Sequence, residues 1–379
     1  MKKNFLFYLL MMAFPITFFS ACGDDKDDNG GGITPPPAPP TPAATTWKDG
    51  VGAYKTGDAS TILKINGEDP KESTKSVTLA TGSGDNAKIT LTNLVPDDAA
   101  VEFDNVEMTK SGNDYAFSSE ATVGTTTITL SGTLSGIPAT KADEAKTLDI
   151  QIARKINSPV AGTWNLHFTE RGAGVAFDVS TGDPANDIAI PQILGSALGG
   201  MLAQKVSDVT ATFTEDGIFD VTWINQGETE PTGMPEGVKQ MVEIMYFASD
   251  SQVFIALNKT LIPMLEMLAS SKFDIKPLLD SMIDKGDYAA LPLNIKTFSG
   301  RVPQADVIPE GYTFFIEREM VLAALPSIVP MLDDLGQQMP PELGDQVVPM
   351  LKNLPEIIAN SEIFNVGLNF VEKKNLIEK

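Results

Sequence analysis

One cysteine and one histidine stand among 379 residues, and each scarcity removes a class of chemistry. A lone Cys22 forms no intrachain disulfide and builds no cysteine-based metal cage. A lone His167 removes most transition-metal centres and most histidine general bases. Aromatic residues make up 7% of the chain, with three tryptophans, which is a thin supply for a flat sugar-binding platform. Positive charge is scarce as well. Against 50 Asp and Glu stand 28 Lys and Arg, a formal charge of −22, and no basic stripe interrupts that field. Such a surface repels phosphate backbones, so nucleic acid is excluded as a partner. The apolar run from Phe5 to Phe19 falls short of the ~20 residues that a membrane span requires.

What is present begins at the N-terminus. Lys2 and Lys3 precede that apolar run, and the small residues Ser20 and Ala21 lead into Cys22. Residues 1–21 therefore have the proportions of a signal peptide. The stretch resembles the lipobox of bacterial lipoproteins, with Phe19 where leucine is usual. The resemblance implies that Cys22 becomes the acylated N-terminus and that the lipid anchor is the protein's link to the membrane. Asp24, Asp25, Asp27 and Asp28 follow at once, and this cluster resembles the export signal of surface-exposed Bacteroidetes lipoproteins. The implied address is the outer membrane, lipid-anchored and facing outward. A calcium loop does not fit these aspartates, because the position that should carry a bidentate glutamate is Pro36. Residues 22–46 continue through glycines into "TPPPAPPTPAATT", a proline-rich tether that reaches about 80 Å when extended.

From residue 47 to 156 a period-2 pattern dominates. Leu63 and Ile65, Val77 and Leu79, Ile89 and Leu91, Val101 and Phe103, Tyr115 and Phe117, Ile128 and Leu130, then Leu148, Ile150 and Ile152 mark seven strands. Turns such as "NGEDP", "GSGDN" and "SGND" separate them. The short spacing predicts a closed or nearly closed antiparallel barrel. The run from "TILKINGEDP" through "ITLSGTLSG" to "KTLDIQIA" resembles the calycin-like barrel domain of Bacteroidetes lipoproteins, which implies a fold and no activity.

Residues 157–379 open with "GTWNLHF". Gly162-x-Trp164 is similar to the first strand of the lipocalin and calycin superfamily, where the tryptophan closes the barrel floor. Further strands are predicted at "DVTATFTED", "IFDVTWIN", "VEIMYFAS", "QVFIALNK", "LPLNIKTFS", "YTFFIERE" and "IFNVGLNFVEK". The fold class is thus mainly β: two antiparallel barrel-like domains, the C-terminal one with several inserted α-helices. Those helices share a repeat, "LIPMLEML", "IVPMLDDL" and "VVPMLKNL", in which proline opens the helix and Met and Leu form an apolar stripe. Ordinary core packing is the simpler reading. The flexible methionines also suit the lining of an adaptable apolar pocket. Met201, Trp223, Met264, Leu265, Met331 and Met350 are the candidate lining residues. "ILGSALGGML" places Gly195 and Gly199 four apart, a spacing for close helix packing.

Sites of reaction find little support. "GSGDNA" has dinucleotide-like glycines, but a strand follows where a helix is required. "GAYKTGD" carries Asp58 where a phosphate-binding loop needs lysine. No Gly-x-Ser-x-Gly elbow occurs. No catalytic residue, metal ligand or cofactor is assigned, and the chain reads as a non-enzymatic binding module for an apolar small molecule or lipid. The competing expectation is a structural or partner-binding component of a surface complex that handles glycans or adhesion.

Overall fold

The computed structural model describes residues 46–70, 75–96, 98–136, 146–170, 172–233, 244–263, 276–299, 310–325 and 352–373. The described chain is mainly β, and its strands fall into two systems. The first holds β1 (Gly52–Lys55), β2 (Thr61–Ile65), β3 (Ser76–Thr81), β4 (Ala87–Val95), β5 (Asp98–Val106), β6 (Thr109–Ser111), β7 (Asp114–Val123), β8 (Thr126–Ser135) and β9 (Thr147–Ile156). The alternating residues named from the sequence all point into one core. Leu79, Ile89 and Leu91 enter it from one side and Ile128, Leu130 and Ile150 from the other.

The closed barrel does not form among the described residues. The ladders make two separate sheets, β1-β3-β4-β5 and β2-β9-β8-β7-β6. The chain crosses from one sheet to the other after β1, returns after β2, and crosses again after β5. β2 meets β9 in parallel, from Thr61↔Leu148 to Ile65↔Ile152. Parallel pairing needs a long connection, which the six intervening strands supply. The "NG" turn follows β2 as a two-residue hairpin turn, with Glu68 N donating to Ile65 O at 3.0 Å and Asn66 and Gly67 both at positive φ. The Asn66 side chain accepts from Arg154 N at 2.8 Å, which ties this turn to β9. "GSGDN" is likewise a turn, closed by Gly82 N donating to Asn86 O at 2.8 Å.

The second system holds β10 (Gly162–Leu166), the small pair β11 (Phe168–Thr169) and β12 (Gly172–Ala173), β13 (Val175–Ser180), helix α1 (Pro184–Ala203), β14 (Val206–Phe213), β15 (Phe219–Asn225), β16 (Thr232–Gly233), β17 (Met245–Ala248), β18 (Gln252–Asn258), the short helix α2 (Lys276–Asp280), β19 (Ile283–Lys285), β20 (Tyr288–Ser299), β21 (Glu310–Ile316) and β22 (Ile363–Glu372). Residues 318–325 and 352–360 are helical too. Each strand expected from the sequence is present. One sheet carries eleven strands in the order β16-β15-β14-β10-β22-β21-β20-β18-β17, with β13 beside β22 and β19 beside β20. This ladder also stays open. Its two ends nevertheless meet at an isolated bridge, Ile218↔Met245, so the sheet curls until its last strand touches the β14–β15 turn.

Helix α1 is built for close seating. Pro184 occupies its first turn, and Asp183 caps it by accepting from Ala185 N at 2.9 Å. Ile190 and Leu194 sit in one apolar cluster and Leu202 in another. The Gly-x-x-x-Gly spacing has its expected use. A Cβ on Gly199 would stand 2.4 Å from Ala173 O, so the helix lies directly against the backbone of β12.

Candidate functional site

The curled C-terminal sheet encloses one apolar face. Period 2 puts Trp164 and Leu166 of β10, Val209, Ala211 and Phe213 of β14, Val221 of β15, Tyr246 and Ala248 of β17, Val253, Ile255 and Leu257 of β18, Phe314 of β21 and Phe370 of β22 into a single buried cluster. Aromatic rings hold its centre. Phe213 packs at 5.0 Å from Phe219, 5.1 Å from Tyr246 and 5.4 Å from Phe314. Trp164 meets Tyr312 edge-on at 5.1 Å, and its indole donates to Val160 O at 2.7 Å. Each ring pair adds roughly 0.5–1.5 kcal/mol beyond the area it buries. The same face of β22 continues with Phe364 and Val366, which pack under α1 and the helical residues 321–325 and 354–358.

Part of this face is not fully buried. Trp223, Leu291, Leu293, Ile295, Tyr312 and Leu368 pack against the cluster, yet each keeps intermediate exposure. Large apolar side chains that remain half wet on a concave wall are the ordinary lining of a small-molecule site.

Polar side chains of these strands pair on the opposite face. Asn165 Nδ2 donates to Asp208 Oδ1 at 2.9 Å, and Thr313 donates to Asn369 Oδ1 at 2.6 Å. Lys296 pairs with Asp178 at 2.5 Å. His167 follows on this side of β10, as the alternation with Trp164, Leu166 and Phe168 implies. Its N–H donates to Asn369 O at 2.8 Å, and its carbonyl accepts from Gly174 N at 2.7 Å. Half-burial pushes its imidazole below its usual pKa. Burial, then Asp216 and Glu215, push the Tyr246 phenol well above the ordinary tyrosine value. Among the described residues no group of three His, Cys, Asp or Glu gathers to hold a metal, and no helix is long and apolar enough to cross a membrane.

Of the residues expected to line a pocket, Trp223 reaches the enclosed face. Met201 is half-buried on α1, one residue before Leu202, and lies outside the four described apolar clusters. Cys22, Met264, Leu265, Met331 and Met350 lie outside the described residues. Leu354, the last residue of the third Pro-Met-Leu repeat, is 4% exposed beside Ile190 and Ile358, which is core packing. Leu291, Leu293, Ile295, Tyr312 and Leu368 were not singled out from the sequence. For the first three the signal is in "LPLNI", where Leu291, Leu293 and Ile295 alternate.

Compared with known proteins, the chain matches no family model, no curated protein and no solved structure.

Proposed function

We propose that this protein is a lipid-anchored, non-enzymatic binding module of the outer-membrane surface. Cys22 carries the acyl anchor, residues 22–46 are the spacer, and the enclosed face of the C-terminal sheet takes an apolar small molecule or lipid. The relationship to surface lipoproteins of Bacteroidetes, and the barrel-like, lipocalin-like character of the C-terminal sheet, belong to the same proposal. Their support is the signal-like N-terminus, the buried Trp164 opening the first strand, and the bridge that brings the sheet's ends together.

The observation that carries the ligand reading is the half-exposed apolar wall of Trp223, Leu291, Leu293, Ile295, Tyr312 and Leu368. Organic extraction of the purified protein followed by mass spectrometry tests it. Recovery of a lipid or other apolar molecule in stoichiometric amount is expected, and an extract no richer than that of an unrelated purified protein would count against it. A partner-binding role in a surface complex is the second reading. Among the described residues, exposed Ile62 on β2 and Ile188 on α1 are the positions at which that reading would be probed.

A further inference from the structure

The join that brings the ends of the C-terminal sheet together is gripped from outside by the N-terminal sheets. Phe219 N donates to Ile244 O and Tyr246 N to Gly217 O, both at 2.8 Å, on either side of the Ile218↔Met245 pair. The neighbouring β14–β15 ladder runs the whole length of its strands, so this seam is a short join in the wall. Both banks of it are held. On the turn side, Ile156 N donates to Glu215 O at 2.6 Å, and Arg154 Nε donates to Asp216 O at 2.7 Å. On the β17 side, Thr125 Oγ1 donates to Ala248 O at 2.8 Å, and Arg154 Nη1 lies 3.7 Å from Met245 Sδ.

Arg154 touches both banks and also donates to Leu94 O of the four-stranded sheet at 3.1 Å. It is 4% exposed. A buried guanidinium loses its hydration, and the two carbonyls and the thioether that replace it are in place only while the turn, β4 and β17 stay together. Gly217 makes that approach possible. It sits at φ +90°, and a Cβ there would come within 2.9 Å of Ile156 Cδ1.

We propose that Arg154 is an intramolecular latch: docking of the N-terminal sheets holds the β15–β17 seam shut, and releasing Arg154 opens the wall onto the enclosed apolar face. The role of the seam as a ligand entrance rests on the function proposed above, whereas the latch itself rests on the seam geometry alone.

Hydrogen exchange read by mass spectrometry on the full chain tests it. In Arg154→Met, segments covering 215–219 and 244–248 should exchange about tenfold faster than in the wild type, while the β10–β14 ladder stays within about twofold, the pattern of a local opening. A rise spread evenly over the sheet, or none at the seam, would overturn the latch. A cross-link gives a second arm should that variant not fold. The two flanking bonds make Ile218 and Met245 a non-hydrogen-bonded pair, with Cα atoms about 4.5 Å apart, within reach of a disulfide. Ile218→Cys with Met245→Cys, in a Cys22→Ser background, should slow release of bound N-phenyl-1-naphthylamine, and reductant should restore it. Equal release rates before and after reduction would refute the seam as an entrance. A wild type that binds none of this dye would count against the apolar-ligand reading, and the exchange arm would still judge the latch.

Discussion

Gly199 and Gly200 are neighbours on α1 with opposite surroundings. A methyl on Gly199 would press into Ala173 O at 2.4 Å, whereas one on Gly200 meets nothing within 4 Å. Gly199→Ala should therefore destabilise by about 1–3 kcal/mol, the usual cost of overpacking. Gly200→Ala should be neutral or stabilising by up to about 1 kcal/mol, since alanine is the better helix former. Urea melts of the pair check both signs, and equal effects would mean that the helix does not seat on β12. His167 gives a pH test. Its folded pKa is lowered by burial, so the unfolded chain takes up the proton first as pH falls. The imidazole's contribution to stability is thus complete above the unfolded value of about 6.5 and is lost as pH falls through the lower folded value. Between about pH 7 and 5, wild type should lose more stability than His167→Gln; parallel curves would show that the burial of the ring is not felt. Other residues gave no such warning in the sequence. Lys75 is wholly buried and donates to Tyr288 Oη at 3.1 Å, and Arg154 is nearly so. Both are residue types that normally stay in water, and only distant partners make their burial tolerable.

At the scale of elements, α1 carries an internal proline. Pro191 lacks the N–H that would bond to Asp187 O, and a proline inside a helix costs about 3 kcal/mol. Part of that is offset by the stiffer unfolded chain, at roughly 0.4–1 kcal/mol. Pro191→Ala should stabilise by about 2 kcal/mol in a thermal or urea melt; a loss instead would show that the ring's packing outweighs the missing bond. Most strands were legible from the sequence because alternation is a local signal: Val77 and Leu79, or Ile128 and Leu130, announce one buried face without reference to anything distant. Partition into sheets was not legible. Whether β2 pairs with β3 or with β9 depends on residues far along the chain, and the parallel choice leaves no mark in "TILKI" itself. β13 carries the same alternation, Val175, Phe177 and Val179 against Ala176, Asp178 and Ser180, but it is short and none of its six residues is fully buried. Trp223 was found on the enclosed face because an aromatic residue in an alternating strand has few other places to go.

For the whole molecule, two β systems are joined by buried and half-buried polar contacts, on a chain of net charge −22. Asn93 Nδ2 reaches Asp287 Oδ2 at 2.5 Å, Lys75 meets Tyr288, and Arg154 spans three segments. The N-terminal sheets thus brace the C-terminal one, and the enclosed face that remains half wet is the surface on which the functional reading depends. A fluorescence titration with N-phenyl-1-naphthylamine, comparing wild type with Leu293→Asn on that face and Ile188→Asn on the exposed side of α1, tests that reading most directly. Saturable binding by wild type is expected, weakened about tenfold by Leu293→Asn, which corresponds to ~1.4 kcal/mol, and unchanged by Ile188→Asn. Absence of saturable binding, or equal affinity in all three proteins, would contradict it.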